Sequence, residues 1–453
     1  MNAFVIENTA IAAVDGGGTE HATGFLAVED GRISGIGAGP APEIPGARRV
    51  DGSGCLATPG LVNTHHHLYQ WATRGYATDH TLFQWLVDLY PVWANLRPEH
   101  VTAANRAGLA WLALSGCTTA ADHHYVYPTG LANDLVDVQI EAAAAVGLRL
   151  HLARGSMDRG VSEGGLPPDR IVEDIDAALA ATVEAIDRHH DPSPESMLRI
   201  AVAPCSPFSV STDLLRESAE LARDKGVRLH THLCETIDEA EFCRATHGCD
   251  PVEYMAAVGW LDDDVWLAHA VHLDADARKR LGSTGTGVAH CPSSNARLGT
   301  GPADVPAMLA AGIDVGLGVD GAASQEAGHL GEELRQALYT ARQLGGPSAM
   351  TARGALELGT IGGARVLGRE SEIGSLEIGK QADIALWDLG GLGHAGIDDP
   401  VAALVLGPPA PLRLLTVAGK TVVEDGALAT ADTDALAADL KAACARLKEA
   451  ADA

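Results

Sequence analysis

"ATPGLVNTHHHLYQ", residues 57–70, runs through an apolar segment into three consecutive histidines, His65, His66 and His67. Side chains alternate faces along a strand, so His65 and His67 point one way and His66 the other. Two imidazoles on one face can share an ion, and imidazole is the commonest protein ligand for zinc. One H-x-H is only half a site, and a chain with 19 histidines places some together by packing alone. The segment decides the fold because it opens a series. From Gly60 onward short apolar runs alternate with longer amphipathic segments, the pattern of βα units and a parallel sheet. The runs are "GLVNTH" from Gly60, "TTAAD" from Thr118, "LRLHLA" from Leu148, "LRIAVAPC" from Leu198, "VRLHTHL" from Val227, "VWLAHA" from Val265, "GVAHCP" from Gly287 and "DVGLGVD" from Asp314. Between them, stretches such as "PEHVTAANRAGLAWLALSG", "STDLLRESAELARDKG" and "VPAMLAAG" read as helices, several ending at Gly. These units predict an α/β fold, a (β/α)8 TIM-like barrel of about 300 residues, somewhat above the typical size.

The flanks read differently. "FLAVEDGRISGIG" near the start, and "IGSLEIGKQADIALWDL" and "LRLLTVAGKTVVEDG" near the end, are β-rich and punctuated by Gly and Asp. They predict a small β-sandwich domain formed from both chain ends. The expected organisation is residues 1–58 and 369–430 in the sandwich, 59–368 in the barrel and 431–453 as a terminal amphipathic helix.

Composition narrows the function. The chain has 453 residues, 46% of them hydrophobic and 20% charged, with a net charge of −28. Nucleic acids and anionic membranes require basic surface, so neither is an expected partner. A small neutral or weakly charged molecule fits better. The eight cysteines are scattered without a C-x-x-C pair, so reduced thiols are expected. With no basic-then-apolar leader and no apolar run of about 18 residues, the expected location is the cytoplasm.

Parallel barrels gather functional side chains at the C-terminal ends of their strands. His65 and His67 end the first expected strand, His232 the fifth, His269 the sixth and Asp320 the eighth. Their convergence at one barrel mouth predicts a metal site far more strongly than any one histidine does. Glu235, three residues beyond His232, would reach an ion-bound water and the substrate without being a ligand. The competing reading is a glutamate that merely starts a helix. Gln70 follows the histidines closely enough to face the pocket. Arg154 ends the third expected strand and could bind a carbonyl or anionic ring oxygen, or instead lock its loop in an ion pair. Trp71, Tyr90 and Trp93 could stack on a flat ring or simply pack helices. Cys205 and Cys234 read as small buried residues, without a nucleophile-and-base arrangement around them.

The segments "PGLVNTHHHLYQ", "HLCET", "LAHAVHL", "HCPSSNARLG" and "GLGVDG" resemble the signatures of the amidohydrolase superfamily, in its cytosine deaminase-like and triazine hydrolase branch. "SGCTTAADHHYVYPTG", "RGSMDRGVSEGGLPPDR" and "APCSPFSVS" extend the similarity toward bacterial deaminases of 8-oxoguanine. The resemblance implies that His65, His67, His232 and Asp320 bind one divalent ion, zinc or alternatively iron. Glu235, His269 and Asp320 then carry the proton chemistry of hydrolytic deamination. His66, His272 and His290 are implied to stay outside the ligand set. The fourth strand ends "APCSP", without the lysine that bridges two metals in dinuclear relatives, which implies one ion. The implied substrate is an amino-substituted purine-like ring recognised through Gln70 and Arg154. Triazine hydrolysis is the rival reaction, and a catalytically silent barrel the rival of another class. A homo-oligomer is the family-level expectation. The chain departs from the pattern at Trp71, Ala322 and Gln325, which puts the exact base in doubt.

Overall fold

Eight parallel strands close into a barrel in this computed structural model, which describes residues 3–452. They are β1 (Leu61–Asn63), β2 (Cys117–His124), β3 (Arg149–Ser156), β4 (Leu198–Pro204), β5 (Leu229–Leu233), β6 (Val265–His269), β7 (Gly287–His290) and β8 (Val315–Leu317). Each expected run supplies one of them. The strands are buried along nearly their whole length, as a sheet covered on both faces requires. The surrounding helices begin and end on local signals. The Ser211 side chain accepts from the Leu214 amide at 3.1 Å to start helix Thr212–Lys225, and Gly226 at φ 67° ends it. Its inner face, Leu214, Leu215, Ala219 and Ala222, is buried.

The barrel closes where Leu317 pairs with Asn63. Past that point the two chains continue side by side, Asp320 opposite His66 and Gly321 opposite His67. The three histidines therefore lie just beyond β1 rather than on it. The extension brings the histidine segment alongside Asp320.

Strands from both chain ends meet in one nine-stranded sheet. The junction is Cys55–Pro59 running antiparallel to Ile384–Asp388, with Pro59 opposite Ile384. Ile6, Ile11, Leu26, Val28, Ile384, Leu386 and Leu414 form a core of their own there. A short helix, Pro400–Leu406, interrupts the C-terminal contribution, and the final helix, Thr433–Asp452, packs along helix Pro98–Leu114. Residues 1, 2 and 453 of the expected flanks lie outside the described residues. A buried Arg149–Asp383 ion pair fastens barrel to sheet. Arg149 also donates to the Ser196 carbonyl and the Thr119 hydroxyl, each at 3.1 Å, and Asp383 accepts from the Ala418 amide at 2.8 Å. Such satisfaction of the remaining donors and acceptors is what makes a buried pair tolerable. All eight cysteines are free thiols. Among the described residues, no helix is long and apolar enough to cross a membrane.

Candidate active site

Four donor atoms meet at the C-terminal mouth of the barrel. Asp320 Oδ1 lies 3.2 Å from His65 Nε2 and 3.3 Å from His67 Nε2, and His67 Nε2 lies 3.1 Å from His232 Nε2. The opposite edges of the rings decide where the protons are. His67 Nδ1 is 2.6 Å from the His123 carbonyl, and His232 Nδ1 is 2.6 Å from the Cys205 carbonyl. A carbonyl only accepts, so both Nδ1 atoms carry a proton, and in the neutral rings that bind a metal both Nε2 atoms present bare lone pairs. Burial keeps His65 and His232 neutral, pushing His232 down to about 3 and His65 well below its ordinary value. Lone pairs at 3.1 Å, beside a carboxylate oxygen, repel one another unless a cation lies between them.

The donor set fits such a cation. Tetrahedral coordination with bonds of about 2.0–2.1 Å separates donors by about 3.3–3.4 Å. Three of the six donor–donor separations, at 3.1–3.3 Å, are close to that spacing. His65 Nε2 is moreover fully buried without a hydrogen-bond partner. His65, His67, His123 and His232 form one group with donor atoms close enough for an ion, and His65, His269 and Asp320 form another that shares His65.

The carboxylate and the remaining imidazole are held from behind. Asp320 Oδ2 accepts from the Ser294 hydroxyl at 2.6 Å and the Ser324 hydroxyl at 3.3 Å, which turns Oδ1 toward the histidines. His269 Nδ1 lies 3.0 Å from Asn295 Oδ1, leaving Nε2 bare and 3.6 Å from Glu235 Oε2. His269 and Asp320 both have positive φ, 73° and 63°, a conformation that costs about 1–3 kcal/mol and clusters at functional sites. Glu235 is buried, and that burial, reinforced by the nearby Asp320 carboxylate, raises its carboxyl well above the ordinary range. A carboxyl that holds its proton above the ordinary range is suited to act as a general acid.

A small cavity of about 30 Å³ opens onto these groups. Leu82, Trp85, Leu86, Phe208 and Leu298 form its apolar walls, and Gln70, Tyr90, Tyr125, Ser206 and Ser324 its polar ones. Among the described residues no lysine or arginine lines it. Gln70 Oε1 is 3.4 Å from the Ala323 amide, while its Nε2 is buried without a partner. That orphan donor has room for an acceptor on a ligand.

The structure does not bring Arg154 to this cavity, which corrects the expectation of a substrate contact. Its guanidinium pairs with Glu173 at 2.6 Å, donates to the Gly155 carbonyl at 2.9 Å and lies over the Tyr127 ring. Tyr90 lines the cavity, whereas Trp93 donates to Thr73 Oγ1 at 3.0 Å inside the core. Trp71 packs behind the site, its Nε1 3.4 Å from His66 Nε2. Gln325 is tied to Glu333 at 2.7 Å, and neither it nor Ala322 lines the cavity. His272 donates to the Thr300 carbonyl at 2.8 Å, and His290 is buried at the end of β7. Cys205 borders the cavity, but burial pushes its thiol up to about 12, so it is no nucleophile. The sequence reading missed Trp85, Phe208, His123 and the supporting Ser294 and Asn295. Of these only Trp85 carried a signal, standing on one helical face with Leu82, Leu86 and Leu89.

The amidohydrolase family profile matches residues 56–422. The 8-oxoguanine deaminase of Pseudomonas aeruginosa is 47% identical over 429 residues, covering 94% of this chain and 95% of that protein. An isoxanthopterin deaminase from an unknown prokaryotic organism is 38% identical, over 93% of this chain and 92% of its own length. Among solved structures, atrazine chlorohydrolase from Arthrobacter aurescens TC1, complexed with zinc, superposes with a TM-score of 0.93 at 32% identity, covering 97% of this chain and 100% of that one.

Proposed function

The chain belongs to the amidohydrolase family, and from that premise we propose that it deaminates an amino-substituted purine-like ring, 8-oxoguanine foremost, by hydrolysis. The observation that carries this reading is the crowding of donor atoms around His67 Nε2, which lies 3.1 Å from His232 Nε2 and 3.3 Å from Asp320 Oδ1, with the orphaned His65 Nε2 3.2 Å from the same carboxylate oxygen. In this reading His65, His67, His232 and Asp320 hold one divalent ion, zinc or alternatively iron. A divalent ion in such a site supplies Lewis acidity and makes water nucleophilic near neutral pH.

The chain's own groups do the rest. Trp85, Leu86 and Phe208 enclose a flat ring and keep bulk water away from it. The Gln70 amide donates to a ring carbonyl or ring nitrogen and sets the orientation. Glu235 delivers its proton to the ring nitrogen beside the carbon under attack. His269 Nε2, with its proton fixed on Nδ1, accepts a hydrogen bond from the attacking water, whose proton passes to Asp320. Glu235 then takes the proton of the new hydroxyl group as the carbonyl forms and passes it to the departing amino group, and the proton held on Asp320 restores Glu235. The balance is one water consumed and one ammonia released, with a carbonyl left where the amine stood. The absence of arginine or lysine around the cavity, among the described residues, suits a neutral substrate.

The test is metal analysis of the purified protein followed by ammonia release from 8-oxoguanine, guanine, isocytosine, cytosine, adenine and hydroxylated aminotriazines. One equivalent of metal with selective turnover of 8-oxoguanine supports the whole reading. One equivalent with turnover of a triazine alone would keep the site and overturn the substrate.

A further inference from the structure

The H-x-H pattern occurs twice, as His65/His67 and as His230/His232, and His230 has no part in the chemistry above. It is fully buried on β5, two residues before His232, with its ring stacked 4.4 Å from that of Trp266 at an interplanar angle of 16°. Trp266 is fixed in turn, its Nε1 donating to the Thr64 carbonyl at 3.0 Å. His230 Nδ1 lies 2.9 Å from the Trp266 carbonyl, and His230 Nε2 lies 2.8 Å from His65 Nδ1.

The carbonyl settles both tautomers. It can only accept, so His230 carries its proton on Nδ1, and its Nε2 is an acceptor. His65 must then donate from Nδ1. The proton that could have sat on His65 Nε2 is held on the far side of the ring. We propose that His230 is a positioning residue for the metal site: through this relay from the Trp266 carbonyl it fixes the tautomer and ring orientation of His65, so that Nε2 always faces the other donors with its lone pair. The inference rests on the metal reading of the site but not on the identity of the substrate.

Two variants separate this role from simple core packing. His230→Phe keeps a planar ring against Trp266 and removes the acceptor. His230→Gln places an amide oxygen near the former Nε2 and restores it. Zinc affinity is measured by competition with a chromophoric chelator. The Phe variant is expected to bind zinc about 10–100-fold more weakly, the usual cost of losing a ligand's hydrogen-bond partner, and the Gln variant to recover most of that loss. Equal affinities for wild type and His230→Phe, or a Gln variant as impaired as Phe, would overturn the proposal. Should the Phe variant fail to fold, ¹⁵N-histidine spectra of the wild-type protein decide. His230 and His65 both protonated on Nδ1 is the expected result, and a proton on Nε2 of either ring would refute the relay. Wild-type protein that bound no zinc would instead defeat the metal reading, while the spectra still tested the tautomers.

Discussion

Glu235→Gln removes one exchangeable proton and almost nothing else. The side chain is 7% exposed, its Oε2 lies 3.6 Å from His269 Nε2, and it belongs to neither group of donor atoms that could hold an ion. Glutamine keeps the volume and the hydrogen-bonding reach, so metal content and folding should be unchanged. An amide cannot, however, donate a proton to a ring nitrogen and then carry the hydroxyl proton to the leaving amine. Loss of general acid–base catalysis costs about 10²–10⁴ in rate. Since two transfers pass through the same carboxyl, the expected loss in kcat is about 10³–10⁴, or about 4–5.5 kcal/mol at 1.36 kcal/mol per tenfold. KM should change little, because Gln70 and the apolar walls are untouched. The assay is ammonia release under saturating substrate, with zinc quantified in the same sample. A variant with full zinc and turnover within tenfold of wild type would remove Glu235 from the proton transfers, and a variant that lost its zinc would make it a ligand instead.

Three further substitutions probe other parts of the account. A Cβ at Gly321 would stand 1.8 Å from Gln70 Oε1, so Gly321→Ala must displace that amide. KM is expected to rise about tenfold, the 1.4 kcal/mol of one hydrogen bond, with kcat falling less, and an unchanged KM would separate Gln70 from substrate. Arg154→Met should lower stability by about 3 kcal/mol by stranding the partly buried Glu173. It should leave KM alone, and a raised KM with an unchanged melting temperature would return Arg154 to the substrate site. The Asp122 carboxyl is buried with Oδ2 unpartnered, and burial raises it to about 7. Between about pH 4 and pH 7 the unfolded chain has lost that proton while the folded one keeps it, so its contribution to stability falls as pH rises, by up to ~4 kcal/mol. Asp122→Asn keeps the acceptor for the Leu68 amide and should flatten that decline in thermal melts, whereas an identical pH profile would show that Asp122 ionises normally.

The barrel was legible because a parallel strand buried on both faces writes itself as a short apolar-rich run, as in the LVN of β1, the VWLAH of β6 and the VGL of β8. The polar residues closing those runs were legible for the same reason, since His232, His269 and Asp320 interrupt or follow them. What supports them was hidden. Asn295 and Ser294 act across 26 residues of sequence on His269 and Asp320, and nothing local marks a hydrogen bond of that span. Arg154 looked like a pocket residue because it ends a strand, but its partner Glu173 comes 19 residues later in the loop that covers it. The flanking sheet depends on pairing Pro59 with Ile384, a register set by tertiary packing. His230 alone was within reach, because the alternation that paired His65 with His67 also pairs it with His232.

The most direct measurement is the conversion of 8-oxoguanine by the zinc-loaded protein, following loss of the substrate's ultraviolet absorbance and release of ammonia in parallel. One ammonia per ring, with urate as the product and activity abolished when zinc is stripped and restored when it is returned, is the expected result. Full zinc occupancy with no ammonia from 8-oxoguanine, or equal turnover with and without the metal, would contradict it.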